Sequence, residues 1–166
     1  IHKSLGAKMV PFAGYEMPIQ YEGIIAEHEK VRKGAGLFDV SHMGEFWVTG
    51  KQALNFVEYA TANNVDSMEK GQVQYSTMCL ENGGIVDDLL IYRFADRFLL
   101  VVNASNLEKD WNHLSELVSK FQDVQITNGS DGIALLAIQG PESKNILSKL
   151  TSANLDELEF YHFGIG

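Results

Sequence analysis

The sequence lacks the features on which disulfide-rich, membrane-spanning and nucleic-acid-binding proteins depend. It contains one cysteine, so it can form neither a disulfide framework nor a cysteine-rich metal site. Its 13 Lys and Arg residues against 22 Asp and Glu residues give a formal net charge of −9, which argues against a surface that binds nucleic-acid phosphates. No apolar run approaches the roughly 20 residues of a membrane span, and no signal peptide opens the chain. We therefore expect a soluble protein in a reducing compartment, with neither nucleic acid nor membrane as a partner.

Motifs of several common binding and catalytic sites are missing as well. The chain has no Gly-x-x-x-x-Gly-Lys-Ser/Thr phosphate loop, no Gly-x-Gly-x-x-Gly dinucleotide fingerprint, no His-x-x-x-His metal pair and no Gly-x-Ser-x-Gly nucleophile elbow. Cys79 lies in a strand pattern, which predicts a buried thiol. The groups that remain for chemistry are carboxylates and tyrosines, and we expect no bound metal. A carboxylate in an apolar pocket can act as a general acid or base and can hold a ring nitrogen by a charge-assisted hydrogen bond.

The most informative segment is a predicted β-hairpin between residues 73 and 92. Asn82-Gly83-Gly84 supplies its turn, because these residues accept positive φ without strain. In the arm before the turn, alternate residues point to opposite faces, with a period of two. In the arm after the turn, both faces are apolar apart from Asp87 and Asp88. This pattern predicts a strand that is buried on both sides.

Asp87 and Asp88 are adjacent in that strand, and a buried ionised carboxylate needs compensation. Successive side chains of a strand point to opposite faces, so the two groups cannot share a proton unless a bulge intervenes. Each must therefore find its own environment. One possibility is a binding site. The alternative is structural: one carboxylate accepts backbone N–H bonds near the turn, and the other faces an edge groove. The sequence pattern alone leaves both open.

Hydrophobic periodicity predicts two helices before the hairpin. The first covers residues 21–33 and carries His28 on its apolar stripe, which predicts a packed core histidine. The second covers Lys51–Thr61 and should be ordinary core. Its inward residues at helical spacing are Ala53, Phe56, Val57 and Ala60.

Two more helices are predicted after the hairpin. Ser105-x-x-Glu108 reads as a capping box in front of the clearest apolar stripe in the sequence, which runs to Phe121. The last helix should begin with Pro141 in its first turn. Its predicted inward residues are Ile146, Leu147 and Leu150.

Strands and helices alternate in groups, which predicts an α+β fold with a largely antiparallel sheet and packed helices. At 166 residues and with 45% hydrophobic residues, the chain is long enough to bury a sizeable core. Before the first helix, Pro11 and Pro18 break residues 5–21 into short extended pieces, so we expect an irregular arm there.

Three motifs occur in one order along the chain. They are the runs Leu5–Pro18, Phe38–Glu45 and Asn82–Leu89, the last with Tyr75 upstream and with Val101-Val102-Asn103-Ala104 and Lys109-Asp110 downstream. This set resembles the aminomethyltransferase (T-protein) family of the glycine cleavage system, over nearly all 166 residues. One departure is Tyr15, which stands where the family usually has Trp.

The resemblance implies a tetrahydrofolate-dependent aminomethyltransferase that takes a one-carbon unit from the lipoylated H-protein and releases ammonia. Tetrahydrofolate and the H-protein are the partners it implies, in the cytoplasm of a bacterium or in a mitochondrion of a eukaryote. Residues 1–166 would form the amino-terminal part of the folate-binding region. The rest of the second subdomain and a carboxy-terminal barrel would lie beyond Gly166, so this chain alone should not complete catalysis.

The resemblance also assigns site residues. The second aspartate of the motif, Asp88, would contact a folate nitrogen and handle the proton, and Asp87 would be structural. Tyr92 lies further along the face of Asp88 and would line the same pocket. Met43, Tyr75 and Asn103 carry over as pocket residues, with further folate ligands expected beyond this chain.

Other functions stay open at this point. A folate-binding module without transferase activity, as in relatives that assist RNA modification or oxidise dimethylglycine or sarcosine, is one alternative. A scaffold with structural aspartates is another. The basic cluster Lys30, Arg32 and Lys33 could steer the H-protein or could be a solvated helix end. His42 could line a pocket or hydrogen-bond locally.

Overall fold

The computed structural model describes all 166 residues and groups them into two compact units. The first unit comprises residues 1–42, 135–155 and 166, and the second comprises residues 43–134 and 156–165. All strand pairs are antiparallel, and with the helices they confirm the predicted α+β class. None of the helices has the length and apolar character needed to cross a bilayer.

The first unit contains two small sheets and two helices. Strands β1 (Lys8–Phe12) and β2 (Tyr15–Gln20) form a hairpin, and β3 (Gly36–Asp39) pairs with β9 (Leu136–Gln139). The helices are α1 (Ile24–Lys33) and α4 (Ser143–Leu147).

The hairpin corrects the irregular arm that the sequence predicted. Ala13 and Gly14 both adopt positive φ, at 47° and 83°, and make the tight turn between the strands. Pro11 and Pro18 fit within the strands because both strands are edges of a two-stranded sheet, where a missing N–H need not interrupt a central ladder. The two prolines therefore exclude a helix without excluding a sheet.

The helix faces of the first unit also differ from the prediction. His28 is exposed rather than packed in a core, and no residue of α1 is buried. In α4, Ile146 is partly exposed, and Leu150 lies beyond the helix with most of its side chain in solvent. The periodicity predicted a helix in both places, but α4 begins only at Ser143, after Pro141, and nothing in this chain covers the apolar stripes.

The second unit holds a five-stranded sheet with two helices on one face. Its elements are β4 (Gly44–Thr49), α2 (Ala53–Ala60), β5 (Val73–Cys79), β6 (Ile85–Arg93), β7 (Phe98–Val102), α3 (Leu107–Val118) and β8 (Gln125–Asn128). The strand order is β5-β6-β7-β4-β8, so β5 and β8 are the edges.

The core of the second unit lies between this sheet and helices α2 and α3. The four inward residues predicted for α2 are all buried, and Phe46, Leu100 and Leu114 are completely buried against the same cluster. Every buried residue of the chain lies in this unit. Hydrophobic burial, the main driving force of folding, is therefore concentrated here.

Two local predictions in the second unit are wrong. Cys79 is exposed, because it ends the edge strand β5 on the sheet face away from the helices. The capping box does not form, because residues 104–106 make a 3₁₀ turn and α3 begins only at Leu107, without a side-chain cap. This later start sets Asp110 in the first turn of α3, where it is buried.

Candidate functional site

The candidate site is built on the hairpin of β5 and β6, which forms as predicted. Only Gly83 in its turn needs positive φ, at 83°, and Leu80 N–H donates to Gly84 O at 2.7 Å to close the loop. Asn82 was expected to adopt positive φ in this turn. It stabilises the turn through its side chain instead, because its Oδ1 accepts the N–H of Gly84 at 2.9 Å.

The register of the hairpin separates the two aspartates. Asp87 lies opposite Met78 and Asp88 opposite Thr77, with a register shift just beyond, between Met78 and Cys79. Asp87 therefore faces the helices and is 7% exposed, whereas the Asp88 face is half-buried. The prediction that β6 is buried on both sides is wrong, because α2 and α3 pack on only one face of the sheet.

Asp88 is held by two donors. The Tyr75 hydroxyl donates to Oδ2 at 2.8 Å, and the Asn103 amide nitrogen donates to Oδ1 at 3.1 Å. Tyr75 is 51% exposed, and its hydrogen bond to Asp88 is the largest cause that raises the pKa of the phenol. The structure thus brings together three of the five predicted site residues.

Asn103 reaches both aspartates because β7 ends one residue before it, at Val102. Its amide nitrogen also approaches Asp87 Oδ1 and Oδ2 at 3.2 and 3.3 Å and the Asp88 carbonyl at 3.1 Å. All four oxygens that it approaches are hydrogen-bond acceptors. The nitrogen of the Asn103 amide, rather than its oxygen, must therefore point toward the two aspartates. The two carboxylates lie on different faces, as predicted, but they share one donor instead of having separate environments.

A third carboxyl group, which the sequence analysis missed, completes this cluster. Asp110 on α3 is 0% exposed, neither of its carboxyl oxygens has a hydrogen-bond partner, and its carboxyl interacts electrostatically with that of Asp87. Burial, followed by the contact with Asp87, raises the pKa of Asp110 to about 8. Burial acts to raise the pKa of Asp87, but its interactions with Asp110, Asn103 and Asn106 lower it overall. The sequence did contain a signal that could have identified Asp110: it is a carboxylate on the apolar stripe of a predicted helix, between Leu107 and Leu114.

Tyr92 and Met43 are less closely tied to this cluster. Tyr92 shares the face of Asp88 by strand alternation, and its ring lies 5.5 Å from that of Phe163. Burial is the main cause that raises the pKa of Tyr92, and a nearby phenol, Tyr161, adds to it. Met43 is half-buried just before β4, two strands from β6.

Tyr161 is another residue that the sequence analysis missed. It interacts electrostatically with both Tyr75 and Tyr92, and it adopts a φ of 55°, which is rare for a residue other than glycine. Its carbonyl accepts the N–H of Val73 at 2.7 Å, which joins this segment to the start of β5. No sequence pattern marks such a conformation.

Glu45 adds a further carboxyl group on the Asp88 face. Cross-strand pairing aligns Glu45 with Val101, and Val101 with Leu90, which lies two residues from Asp88. Glu45 is 1% exposed, neither carboxyl oxygen has a hydrogen-bond partner, and burial raises its pKa to about 7.

The first unit contains a separate cleft of about 600 Å³ whose lining includes none of the predicted site residues. His42 lines it, with its ring 5.6 Å from Phe12 and 6.4 Å from Tyr15, and its Nδ1 has no hydrogen-bond partner. We build the candidate site on the carboxyl cluster instead, because the cluster combines oriented donors with titratable groups. No group of three or more His, Cys, Asp or Glu side chains in the structure has an arrangement that could hold a metal ion.

The chain is similar to known proteins over its whole length. It matches the family model described as the GCVT N-terminal domain over residues 1–165. It is 52% identical to an aminomethyltransferase of Chloroherpeton thalassium and 54% identical to one of Flavobacterium psychrophilum, each match covering 100% of this chain and 46% of the relative. The crystal structure of the glycine cleavage system aminomethyltransferase T from Bartonella henselae aligns at a TM-score of 0.89 and 37% identity, covering 97% of this chain and 44% of that one. The chain thus spans less than half the length of these relatives.

Proposed function

Because the chain belongs to the family of the GCVT N-terminal domain, we propose that it is the amino-terminal part of a tetrahydrofolate-dependent aminomethyltransferase of the glycine cleavage system. The names of its relatives favour this function over a folate-binding module without transferase activity. Since the chain spans less than half of those relatives, the activity is proposed for the longer protein. The relatives are bacterial, which supports a cytoplasmic location as part of this proposal.

In this proposal, the one-carbon unit of the aminomethyl group on the lipoyl arm of the H-protein passes to tetrahydrofolate. Ammonia leaves, and the products are methylenetetrahydrofolate and the dihydrolipoyl H-protein. The Asp88 carboxylate accepts a hydrogen bond from a folate nitrogen and handles the proton at that nitrogen. Tyr75, Tyr92, Asn103 and Met43 line the pocket around it.

One observation carries the proposal: the Asp88 carboxylate is oriented by Tyr75 and Asn103 on the sheet face that no helix of the second unit covers. An ionised carboxylate offers about four lone-pair positions. The two donors use one on each oxygen, which leaves the others for N–H groups of a ligand. A reduced pterin offers such groups along one edge, so the residues present fit it.

We also propose that the first unit is completed by the part of the longer protein that follows this chain. No residue of the first unit is buried, and Ile24, Leu37 and Phe38 all expose large apolar side chains. The relatives are more than twice as long as the chain. Amides of β3 should therefore exchange hydrogen slowly in the intact protein and rapidly when the remainder is removed.

Substitution of the two aspartates in the intact protein tests the transferase proposal. Asp88→Asn should lower the single-turnover rate of transfer about a hundredfold or more, because Asn has the same shape but cannot take the proton. Asp87→Asn should lower it less. Circular dichroism of both variants checks that they are folded. If Asp87→Asn is the more impaired variant, the assignment of Asp88 is wrong. If the wild-type protein neither binds tetrahydrofolate nor transfers the one-carbon unit, the proposed function is wrong.

A further inference from the structure

We propose that Lys109 positions Asp88 for transfer by holding the backbone at the start of β6. The Lys109 ammonium donates to the carbonyl oxygen of Val86 at 2.6 Å, two residues before Asp88. We call this contact the β6 clamp, and all of its residues lie in the second unit. The inference rests on the proposed function, because it concerns the residue to which that function assigns proton handling.

The start of β6 lacks regular partners in the neighbouring strands. Pairing with β5 passes from Asp87 directly to Ile85, so Val86 between them is an extra residue, as in a β-bulge. On the other side, pairing with β7 begins only at Leu89. Val86 therefore has no partner residue in either strand, and the backbone polar groups here need hydrogen-bond partners from elsewhere.

Two side chains that follow β7 in the sequence take the place of the missing strand. Asn103 Nδ2 donates to the backbone carbonyl of Asp88 at 3.1 Å, and Lys109 Nζ donates to that of Val86 at 2.6 Å. A hydrogen bond from an ammonium group is stronger than one between neutral groups. The backbone on both sides of Asp87 is thus tied to the segment that leads from β7 into α3.

Helix α3 by itself does not explain the position of Lys109. The residue lies in the first turn of the helix, where the helix dipole disfavours a cation. None of the ion pairs in the structure includes Lys109, so no carboxylate lies within salt-bridge distance of its ammonium. The hydrogen bond to the Val86 carbonyl is therefore the contact that holds this side chain.

A movement of the β6 backbone would displace the Asp88 carboxylate. Its Oδ2 accepts from Tyr75 at 2.8 Å and its Oδ1 from Asn103 at 3.1 Å. A displacement of about 1 Å would break one or both of these hydrogen bonds and misplace the proton acceptor. Lys109 is therefore a positioning residue, because it acts on transfer only through Asp88.

Two variants of the intact protein test the β6 clamp. Lys109→Met removes the donor and keeps the aliphatic part of the side chain. We expect it to lower the single-turnover rate of transfer about fivefold, as for the loss of one hydrogen bond from a charged but exposed group. Lys109→Arg can still donate to the carbonyl and should stay within about twofold of wild type. Lys70→Met, at another exposed lysine of the second unit, is the matched control and should leave the rate unchanged.

A double-mutant cycle separates the positioning of Asp88 from a general effect on the fold. If Lys109 acts through Asp88, Lys109→Met should cost less than about twofold in an Asp88→Asn background. A general effect would cost about fivefold in both backgrounds. Equal losses in the two backgrounds, or a folded Lys109→Met variant with the wild-type rate, would overturn this role of Lys109.

Hydrogen exchange measures the β6 clamp independently of activity. Amides of residues 85–88 should exchange about fivefold faster in Lys109→Met than in wild type, whereas those of β7 should not change. Unchanged exchange at residues 85–88 overturns the β6 clamp whatever the activity. If the exchange responds as expected but wild-type protein does not transfer the one-carbon unit, the proposed function and the role in transfer are wrong, and the β6 clamp is established as a contact that holds the strand.

Discussion

Substitution of Glu45 by Gln should stabilise the protein in a pH-dependent way. Glu45 is 1% exposed, and its carboxyl has no hydrogen-bond partner, so its charged form is poorly solvated. Burial raises its pKa from 4.5 to about 7. Gln has nearly the same volume and polarity as the protonated acid but never carries the charge.

The magnitude follows from linkage between protonation and folding. Between the unfolded pKa of 4.5 and the folded pKa of about 7, the folded state binds more protons than the unfolded state, so the stability of wild type falls as pH rises. One pKa unit corresponds to about 1.4 kcal/mol. A raised pKa of this size therefore lowers the free energy of unfolding by about 3 kcal/mol at pH 8 and by about 1 kcal/mol at pH 5.

Urea unfolding of the intact protein at pH 5, 6, 7 and 8 measures the effect. The free energy of unfolding of Glu45→Gln should exceed that of wild type by an amount that grows by about 2 to 3 kcal/mol from pH 5 to pH 8. Glu69→Gln, at an exposed carboxylate, should show no such growth. A difference for Glu45→Gln that stays constant across this range would refute the argument that the buried carboxyl is uncompensated.

Three further predictions follow from particular contacts. Tyr75→Phe removes the hydroxyl that donates to Asp88, and single-turnover transfer should fall about tenfold with the fold unchanged. Reversal of Lys30 and Lys33 to Glu should slow association with the H-protein at low salt, and the loss should shrink as salt is added; unchanged kinetics would exclude steering by this cluster. Gly50→Ala should lower the free energy of unfolding by about 2 kcal/mol or more, because φ is +111° and a Cβ would overlap the backbone carbonyl oxygen of Asp123; thermal unfolding measures the loss.

Elements with a local signal were determined by the sequence. Helix α2 follows from apolar residues at helical spacing, and all four of its predicted inward residues are buried. The hairpin of β5 and β6 follows from alternation around an Asn-Gly-Gly turn. These predictions succeed because the period of a helix or a strand relates residues that are close in sequence.

Burial was less predictable than secondary structure. The same periodicity placed His28 in a core and Cys79 in a buried strand, yet both are exposed. An apolar stripe on a helix or an alternation along a strand predicts which face of the element is apolar. Only the packing of other elements decides whether that face is buried. The first unit has apolar stripes with no cover within this chain, and β5 is an edge strand.

The candidate site shows the same division at the level of single residues. Strand alternation by itself placed Asp87 and Asp88 on opposite faces, and the family resemblance assigned the site role to Asp88, which stays a prediction. Only the tertiary structure decided that Asn103 bridges the two and that Asp110 is buried, since these outcomes depend on where β7 ends and where α3 begins. Residues far apart in sequence have no periodic relation, so their meeting is set by strand register and helix packing alone.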